Sequence, residues 1–226
     1  AADYSQIELR VIAALAKDEA MISAFQAGED IHRATAAKVF EVPLEEVTRE
    51  QRSNAKTVNF GIVYGVSAFG LSQQTDMSRK EAKAAIDGYF RTYPGIKQYM
   101  DDQVAFAREH GYVETITGRR RYLKDIESRN AVVRGHSERN AVNAPIQGSA
   151  ADIIKLAMIE VDRAMREAQM KSKMLLQVHD ELVFDARVEE LEALKNLVIE
   201  KMEAAIDLAV PMVAEVGTGQ SWLEAH

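Results

Sequence analysis

The sequence contains no cysteine, so it can form neither a disulfide framework nor a thiolate metal site. That absence suits a reducing intracellular compartment, and we expect a cytoplasmic protein. Long apolar runs are also missing. The longest near the start, Val11 to Ala16, is far shorter than the roughly 20 residues that span a bilayer, and no basic leader precedes it. We therefore expect no membrane insertion.

Net positive charge is lacking as well, because the formal charge is −7. This argues against a protein that coats nucleic acid by bulk charge. The segment 119–139 nevertheless holds seven Lys or Arg residues against three acidic ones, a local charge of +4. Such a segment can follow a phosphate backbone while the remaining surface stays acidic, although it can equally be a solvated basic loop.

The chain begins with Ala1 rather than Met, and an acidic motif follows at once. We expect this sequence to be a piece of a longer protein. With 226 residues, 47% of them hydrophobic, the piece is long enough to bury a core.

Strand patterns occur at both ends of the sequence. Residues 1–4 are typical of the end of a strand, and Ser5 and Glu8 have the spacing of a capping box that starts a helix. Two apolar runs within 173–184 flank three ionisable residues, which predicts a hairpin with His179, Asp180 and Glu181 at its tip. The last strand is expected within 210–216. Because these strands must pair with the first, the two ends belong to one unit.

Helical patterns dominate the middle. A second hairpin is expected around Gly118, and Pro145 and Gly148 are expected to interrupt the helical pattern that returns near Ser128. The sequence therefore predicts a helix-rich α+β fold, with a small antiparallel sheet and an inserted helical part.

The helix predicted from Thr48 to Gly65 carries an ordered stripe. Arg52, Lys56, Phe60 and Tyr64 recur every fourth residue, so they lie along one face. Two cations followed by two aromatic rings fit a ligand that is anionic at one end and flat at the other, as a nucleotide is. The alternative is an ordinary amphipathic helix with both rings in the core and both cations in solvent.

Carboxylates stand at two predicted corners of the sheet. Asp3 ends the first strand and Asp180 lies at the hairpin tip, so the two face each other if the strands are neighbours. Mg²⁺ suits such a place because it binds one or two carboxylates together with substrate phosphates. The alternative is a pair of aspartates that cap turns. Glu8, His32, Asn143 and Gln147 each have an equally ordinary structural explanation.

Five blocks run in order from end to end of the sequence: Asp3-Tyr-Ser-Gln-Ile-Glu-Leu-Arg10, Arg52-x3-Lys56-x3-Phe60-Gly-x2-Tyr64-Gly65, Gly118-Arg-Arg-Arg-Tyr-Leu123, Arg139-x3-Asn-Ala-Pro-Ile-Gln-Gly-Ser-Ala-Ala-Asp152 and Val178-His-Asp-Glu181. Together these blocks resemble family A DNA polymerases, the bacterial DNA polymerase I group.

The resemblance implies a right-hand polymerase fold in which residues 1–12 and 134–226 form part of the palm and 13–133 form the fingers. The thumb and the earlier part of the palm would precede this segment. It also implies template-directed DNA synthesis with two Mg²⁺ ions, with primer-template DNA and dNTPs as partners, in a protein that is a monomer.

The resemblance also implies roles for individual residues. The implied catalytic residues are Asp3, Asp180, Glu181 and Lys56. The implied metal ligands are Asp3, Asp180 and the Tyr4 carbonyl. The implied nucleotide-binding residues are Gln6, Glu8, His32, Arg52, Lys56, Phe60 and Tyr64, with Glu8 and Tyr64 forming the steric gate against a ribose 2′-hydroxyl. The implied DNA-binding residues are Arg139, Asn143, Gln147 and His179.

Two other functions remain open from the sequence. The segment alone could be a nucleotide- or DNA-binding module without activity, since the thumb is expected to be absent. A metal-dependent phosphohydrolase using His179 and Asp180 is the other, although further His and Asp pairs at ligand spacing are missing.

Overall fold

A computed structural model describes residues 1–225. The strands in this range are β1 (Ala2–Tyr4), β2 (Tyr112–Glu114), β3 (Arg120–Tyr122), β4 (Lys173–Val178), β5 (Glu181–Asp185) and β6 (Ala214–Val216). The helices are α1 (Ile7–Ala16), α2 (Glu19–Gln26), α3 (Ile31–Val39), α4 (Arg49–Val63), α5 (Ala68–Ser72), α6 (Arg79–Thr92), α7 (Pro94–His110), α8 (Ala131–Glu167), α9 (Leu191–Glu203) and α10 (Trp222–Ala225). The predicted helix-rich α+β class is confirmed.

The chain forms two compact units. Unit 1 contains residues 1–8 and 148–226, and unit 2 contains residues 9–147. The two ends of the sequence therefore belong to the same unit, as the strand patterns predict. The assignment of these parts to a palm and fingers stays a prediction. None of the helices within residues 1–225 combines the length and the apolarity needed to cross a membrane.

Unit 1 is built on an antiparallel sheet with the strand order β4-β5-β1-β6. The first strand of the chain lies between two strands from its far end, because Ala2 pairs with Leu182 on one side and with Val216 on the other. Ala2, Tyr4 and Leu182 are buried. Since side chains alternate along a strand, Asp3 lies on the opposite face from Ala2 and Tyr4.

Unit 2 is mostly helical, and local chemistry fixes the starts of its helices. Thr48 and Gln51 form a reciprocal capping box at the start of α4, and Ser78 and Glu81 form another at the start of α6. Each cap satisfies backbone N–H groups that the first helical turn leaves without partners, and is worth about 1 kcal/mol.

Three predicted helix boundaries are wrong. The helix predicted to run to Gly65 ends at Val63, with Tyr64 as its C-cap and a φ of +70° at Gly65. The first helix begins at Ile7, not after Ser5, because Gln6 has a φ of +56°, which is outside the helical region. The break at Pro145 and Gly148 is also absent, since α8 continues through both for 37 residues. Proline costs about 3 kcal/mol in a helix interior, and the burial of apolar side chains such as Val142, Ile146 and Ile153 outweighs that cost.

Candidate active site

The acidic corner of unit 1 follows from the register between β1 and β5. Asp3 pairs directly with Glu181, and the Tyr4 N–H donates to the Asp180 carbonyl at 3.3 Å. Residues paired in this way project side chains on the same face of the sheet, so the carboxyl groups of Asp3 and Glu181 are neighbours. Like charges directly opposite each other are destabilising. This corner is therefore suited to a cation.

Asp180 lies in the two-residue turn between β4 and β5. Its neighbour His179 is exposed, has a φ of +54°, and accepts a hydrogen bond at its carbonyl from Gln177 Nε2 at 2.6 Å. The sequence predicts Glu181 at the hairpin tip, but Glu181 is the first residue of β5. This difference matters, because the strand position places Glu181 opposite Asp3.

Tyr4 fixes the position of β1. Its buried hydroxyl donates to the Met202 carbonyl in α9 at 2.5 Å, across 198 residues of sequence. Burial raises the pKa of the Tyr4 hydroxyl, with the Glu203 charge adding to the effect, so the group stays protonated and remains a donor. The backbone of Tyr4, including the carbonyl implied as a metal ligand, is thus attached to α9.

Trp222 holds the Glu181 carboxylate. Glu181 is 5% exposed, and its Oε1 accepts a hydrogen bond from Trp222 Nε1 at 2.9 Å. A buried carboxylate is costly unless it is hydrogen-bonded or paired with a cation. Trp222 supplies such a hydrogen bond and limits the positions that the carboxylate can adopt.

The residues at this corner fit a divalent cation by the chemistry of their donors. Asp3, Asp180 and the Tyr4 carbonyl offer the oxygen ligands that Mg²⁺ prefers. Within residues 1–225 no three or more His, Cys, Asp or Glu side chains form a ready metal cluster. Mg²⁺ needs no such cluster, since it commonly binds one or two carboxylates, waters and substrate phosphates.

Gln6 and Glu8 lie just beyond this corner. Gln6 connects β1 to α1 and Glu8 is in the first turn of α1. Both side chains are half-buried, so part of each remains accessible to a ligand. Their implied roles at a nucleotide stay predictions.

In unit 2 the stripe on α4 faces outward. Arg52, Lys56 and Tyr64 are exposed and Phe60 is half-buried, while the buried face of the helix is formed by Ala55, Val58, Asn59 and Ile62. The alternative in which both rings belong to the core is wrong, because Tyr64 is 42% exposed. The stripe offers a ligand its cations and at least one ring from a single face.

Asp30 is the partner of Arg52. Arg52 Nε donates to Asp30 Oδ2 at 2.6 Å, and Asp30 also caps α3 by accepting from the backbone N–H groups of His32 and Arg33. Partial burial alone would raise the pKa of Asp30, but the Arg52 side chain and the two backbone N–H groups outweigh it and lower that pKa. The Asp30 carboxylate is therefore ion-paired with the Arg52 guanidinium, the group to which a phosphate would bind.

His32 lies beneath these charges and is 2% exposed. Its ring centre is 5.7 Å from that of Phe60. Burial lowers the pKa of His32 to about 4, with the positive charges of Arg52 and Lys56 acting in the same direction and Asp30 against them. The structure thus brings together His32, Arg52, Lys56 and Phe60, and His32 is neutral at pH 7.

Arg139, Asn143 and Gln147 share one face of α8. They are spaced four residues apart, and the helix continues through Pro145, so the three side chains follow one another along its axis. Arg139 and Gln147 are exposed. The Arg139 side chain lies against Gly65, where an added Cβ would come within 2.9 Å of the Arg139 Cγ, and the φ of +70° at Gly65 also favours glycine.

Comparison with known proteins now identifies the family. The family model for DNA polymerase family A matches residues 1–224. The chain belongs to DNA polymerase family A.

Relatives of high identity support this assignment. The chain is 55% identical over 224 residues to DNA polymerase I of Lactococcus lactis subsp. cremoris, covering 99% of the chain and 26% of that protein. It is 53% identical over 225 residues to DNA polymerase I of Bacillus subtilis, covering 100% of the chain and 26% of that protein. The chain therefore spans about a quarter of the length of these relatives.

A solved structure shares the fold. The POL domain of Pol1 from M. smegmatis, in complex with DNA primer-template and dNTP, superposes with a TM-score of 0.94 at 50% identity. The match covers 99% of this chain and 40% of that chain. The polymerase fold that the sequence blocks imply is thus confirmed.

Three contributors are missing from the sequence prediction: Asp30, Asn59 and Trp222. Asp30 and Asn59 contact Arg52 and His32 across 22 and 27 residues, and Trp222 contacts Glu181 across 41. Asn59 carried one signal, since a polar amide on the apolar face of an amphipathic helix must find a partner. The other two contacts leave no periodic pattern in the sequence.

Replacing Asp30 by Asn tests the competition for Arg52. Asp30→Asn keeps an oxygen that can cap α3 but removes the charge that holds Arg52. Because an exposed ion pair is worth up to about 1 kcal/mol, we expect inorganic tripolyphosphate to bind roughly two- to fivefold more tightly, as measured by calorimetric titration. Asp87→Asn removes the comparable exposed pair with Lys83 and is the control. Equal affinity in Asp30→Asn and the unsubstituted chain would show that Asp30 does not compete.

His32 makes a pH-dependent contribution to stability. Its pKa is about 4 in the folded chain, against 6.5 for an ordinary histidine. Between pH 6.5 and pH 4 the histidine is protonated in the unfolded chain but neutral in the folded chain. The free energy of unfolding therefore falls as pH is lowered from about 6.5 towards 4. We expect His32→Gln to flatten this part of the pH profile in urea unfolding, whereas His136→Gln, at an exposed histidine, leaves it intact. An unchanged profile in His32→Gln would contradict the assignment.

Proposed function

We propose that this chain takes part in template-directed DNA synthesis, in which a nucleotidyl group passes from a dNTP to a primer 3′-hydroxyl. The observation that carries the proposal is the outward stripe on α4, where Arg52, Lys56, Phe60 and Tyr64 follow one another along one face. Membership of family A supports it, and so does the complex of the M. smegmatis relative with DNA primer-template and dNTP.

The acidic corner of unit 1 is proposed to hold the metal. Family A polymerases use divalent metal ions, and we propose two Mg²⁺ ions with Asp3, Asp180 and the Tyr4 carbonyl as their protein ligands. When bound, the ions supply positive charge that stabilises the developing oxyanions and the pyrophosphate. Glu181, held by Trp222, adds a supporting negative charge beside Asp3.

The cations of α4 are proposed to bind the triphosphate. Arg52 offers a planar guanidinium that matches phosphate oxygens, and Lys56 offers a compact ammonium. Lys56 is exposed and has no ion-pair partner in the part of the chain that the structure describes. His32 adds a neutral N–H group. Phe60 and Tyr64 provide flat surfaces for the sugar and base.

In the proposed reaction one bond to the α-phosphorus forms and another breaks. The primer 3′-oxygen forms a bond to the α-phosphorus and loses its proton to solvent, while the bond from that phosphorus to the bridging oxygen breaks. The electron pair of the broken bond leaves with pyrophosphate. Lys56 is placed in this scheme as the general acid that donates a proton to the departing pyrophosphate.

The remaining residues are proposed to recognise the substrates. Gln6 and Glu8 act at the nucleotide, with Glu8 excluding a ribose 2′-hydroxyl. Arg139, Asn143 and Gln147, which share a face of α8, bind the primer and template together with the exposed His179. Contacts to minor-groove acceptors at the terminal pair would tolerate any correct base pair. We also propose that the protein acts as a monomer in the cytoplasm.

Primer extension tests the function directly. The full 226-residue chain is incubated with a primer-template, dNTPs and Mg²⁺, and product length is read on a gel. We expect Asp180→Asn to reduce extension by about a thousandfold or more, since metal stabilisation of the transition state is worth several kcal/mol. Asp185→Asn, an exposed carboxylate at the other end of β5, is the matched control.

Other outcomes separate the alternatives. Equal extension by Asp180→Asn and the unsubstituted chain would contradict the catalytic assignment. Protection of α4 from hydrogen exchange by dNTP, without any extension, would support a binding module, a possibility that the quarter-length match keeps open. Release of phosphate from nucleotides without a primer would instead indicate a phosphohydrolase.

A further inference from the structure

A buried hydrogen-bond network lies behind the stripe on α4. The Tyr93 hydroxyl is 3.0 Å from Thr35 Oγ1, which is 3.2 Å from Asn59 Oδ1, and Asn59 Nδ2 is 3.0 Å from His32 Nδ1. All four side chains are at most 2% exposed. The network joins α3, α4 and the end of α6, and it ends at a histidine that the proposed function places at the triphosphate.

The direction of each hydrogen bond follows from its donors. The Asn59 amide nitrogen can only donate, so His32 Nδ1 must accept. A neutral imidazole carries one ring proton, which is then on Nε2. Thr35 donates its single hydroxyl proton to Asn59 Oδ1, and Tyr93 therefore donates to Thr35. Burial raises the pKa of Tyr93 to about 12, which keeps the phenol protonated.

The Nε2 atom of His32 remains open to a ligand. It has no hydrogen-bond partner within residues 1–225, and it is not among the polar atoms that are fully buried without one. The charged side chains that act on this ring are Asp30, Arg52 and Lys56. Two of these three belong to the face that would meet an anion.

We propose that Asn59 is a positioning residue that holds His32 in the tautomer with its proton on Nε2, ready to donate to a phosphate oxygen of the incoming nucleotide. In the structure the Asn59 amide oxygen faces the Thr35 hydroxyl, which donates to it, and the amide nitrogen faces His32 Nδ1. This inference rests on the proposed function, because it takes the nucleotide as the ligand of His32.

The tautomer can be measured without any nucleotide. Long-range ¹H–¹⁵N NMR of the full chain at pH 7 distinguishes a protonated from an unprotonated ring nitrogen. We expect a protonated Nε2 in the unsubstituted chain. Asn59→Asp replaces the amide donor by a carboxylate that only accepts. The ring proton of His32 should therefore move from Nε2 to Nδ1. A protonated Nδ1 in the unsubstituted chain, or an unchanged tautomer in Asn59→Asp, would overturn the proposal.

Nucleotide affinity supplies the second readout. We expect Asn59→Asp to weaken dNTP binding roughly tenfold or more, which corresponds to the loss of one hydrogen bond. In a His32→Gln background the same substitution should have at most a small further effect, because Asn59 acts through His32. Equal losses in both backgrounds would show that the added charge, and not the tautomer, weakens binding.

Two further variants control for folding and for local chemistry. Thr35→Val removes one hydroxyl from the network and should yield a mixture of His32 tautomers in a folded chain. Asn140→Asp changes another Asn–His contact, where Asn140 Nδ2 is 2.7 Å from Nδ1 of the exposed His136, and should leave dNTP affinity unchanged. If the unsubstituted chain binds no dNTP, the proposed function fails, while the NMR result still decides whether Asn59 sets the tautomer.

Discussion

The antiparallel pairing of β1 with β5 places the Asp3 carboxylate directly opposite Glu181, and much of unit 1 is arranged around that contact. Glu215 of β6 is paired with Asp3 on its other side, so three like charges on one face of the sheet repel each other in an arrangement that costs stability. Tyr4 attaches β1 to α9 through its hydroxyl, and Trp222 holds Glu181 through its indole N–H. These contacts keep the carboxylates in place. A sheet that holds carboxylates opposite each other in this way is suited to bind a cation.

Unit 2 shows the complementary pattern, in which cations lie on an exposed helix face that an anion can reach. α4 buries one face and presents Arg52 and Lys56 on the other, while the ion pair with Asp30 occupies Arg52. An exposed pair of this kind is worth at most about 1 kcal/mol, so a triphosphate with several charges can displace it. Beneath it, burial keeps His32 neutral, which leaves a hydrogen-bond donor without a further positive charge. Each unit thus contributes a different part of the proposed chemistry.

Features set by short-range chemistry were predictable from the sequence. The two hairpins and the alignment of the α4 stripe along one face follow from spacing, and the resemblance gave the polymerase fold. Long-range effects were not predictable. The burial of Val142 and Ile146 carries α8 through Pro145 against a local signal to stop. The partners of Arg52, His32 and Glu181 come from other elements, and single hydrogen bonds between distant residues leave no repeating pattern.

The most direct test of this account is the stability of Asp3→Asn, a substitution that removes one charge with little change in shape. Urea unfolding of Asp3→Asn and of the unsubstituted full chain is measured twice, once with Mn²⁺ and once with a chelator and no added metal. If the opposed carboxylates repel, Asp3→Asn is more stable than the unsubstituted chain in chelator and loses that advantage when Mn²⁺ is added. A variant that is less stable in chelator, or whose advantage does not change with Mn²⁺, would contradict the account.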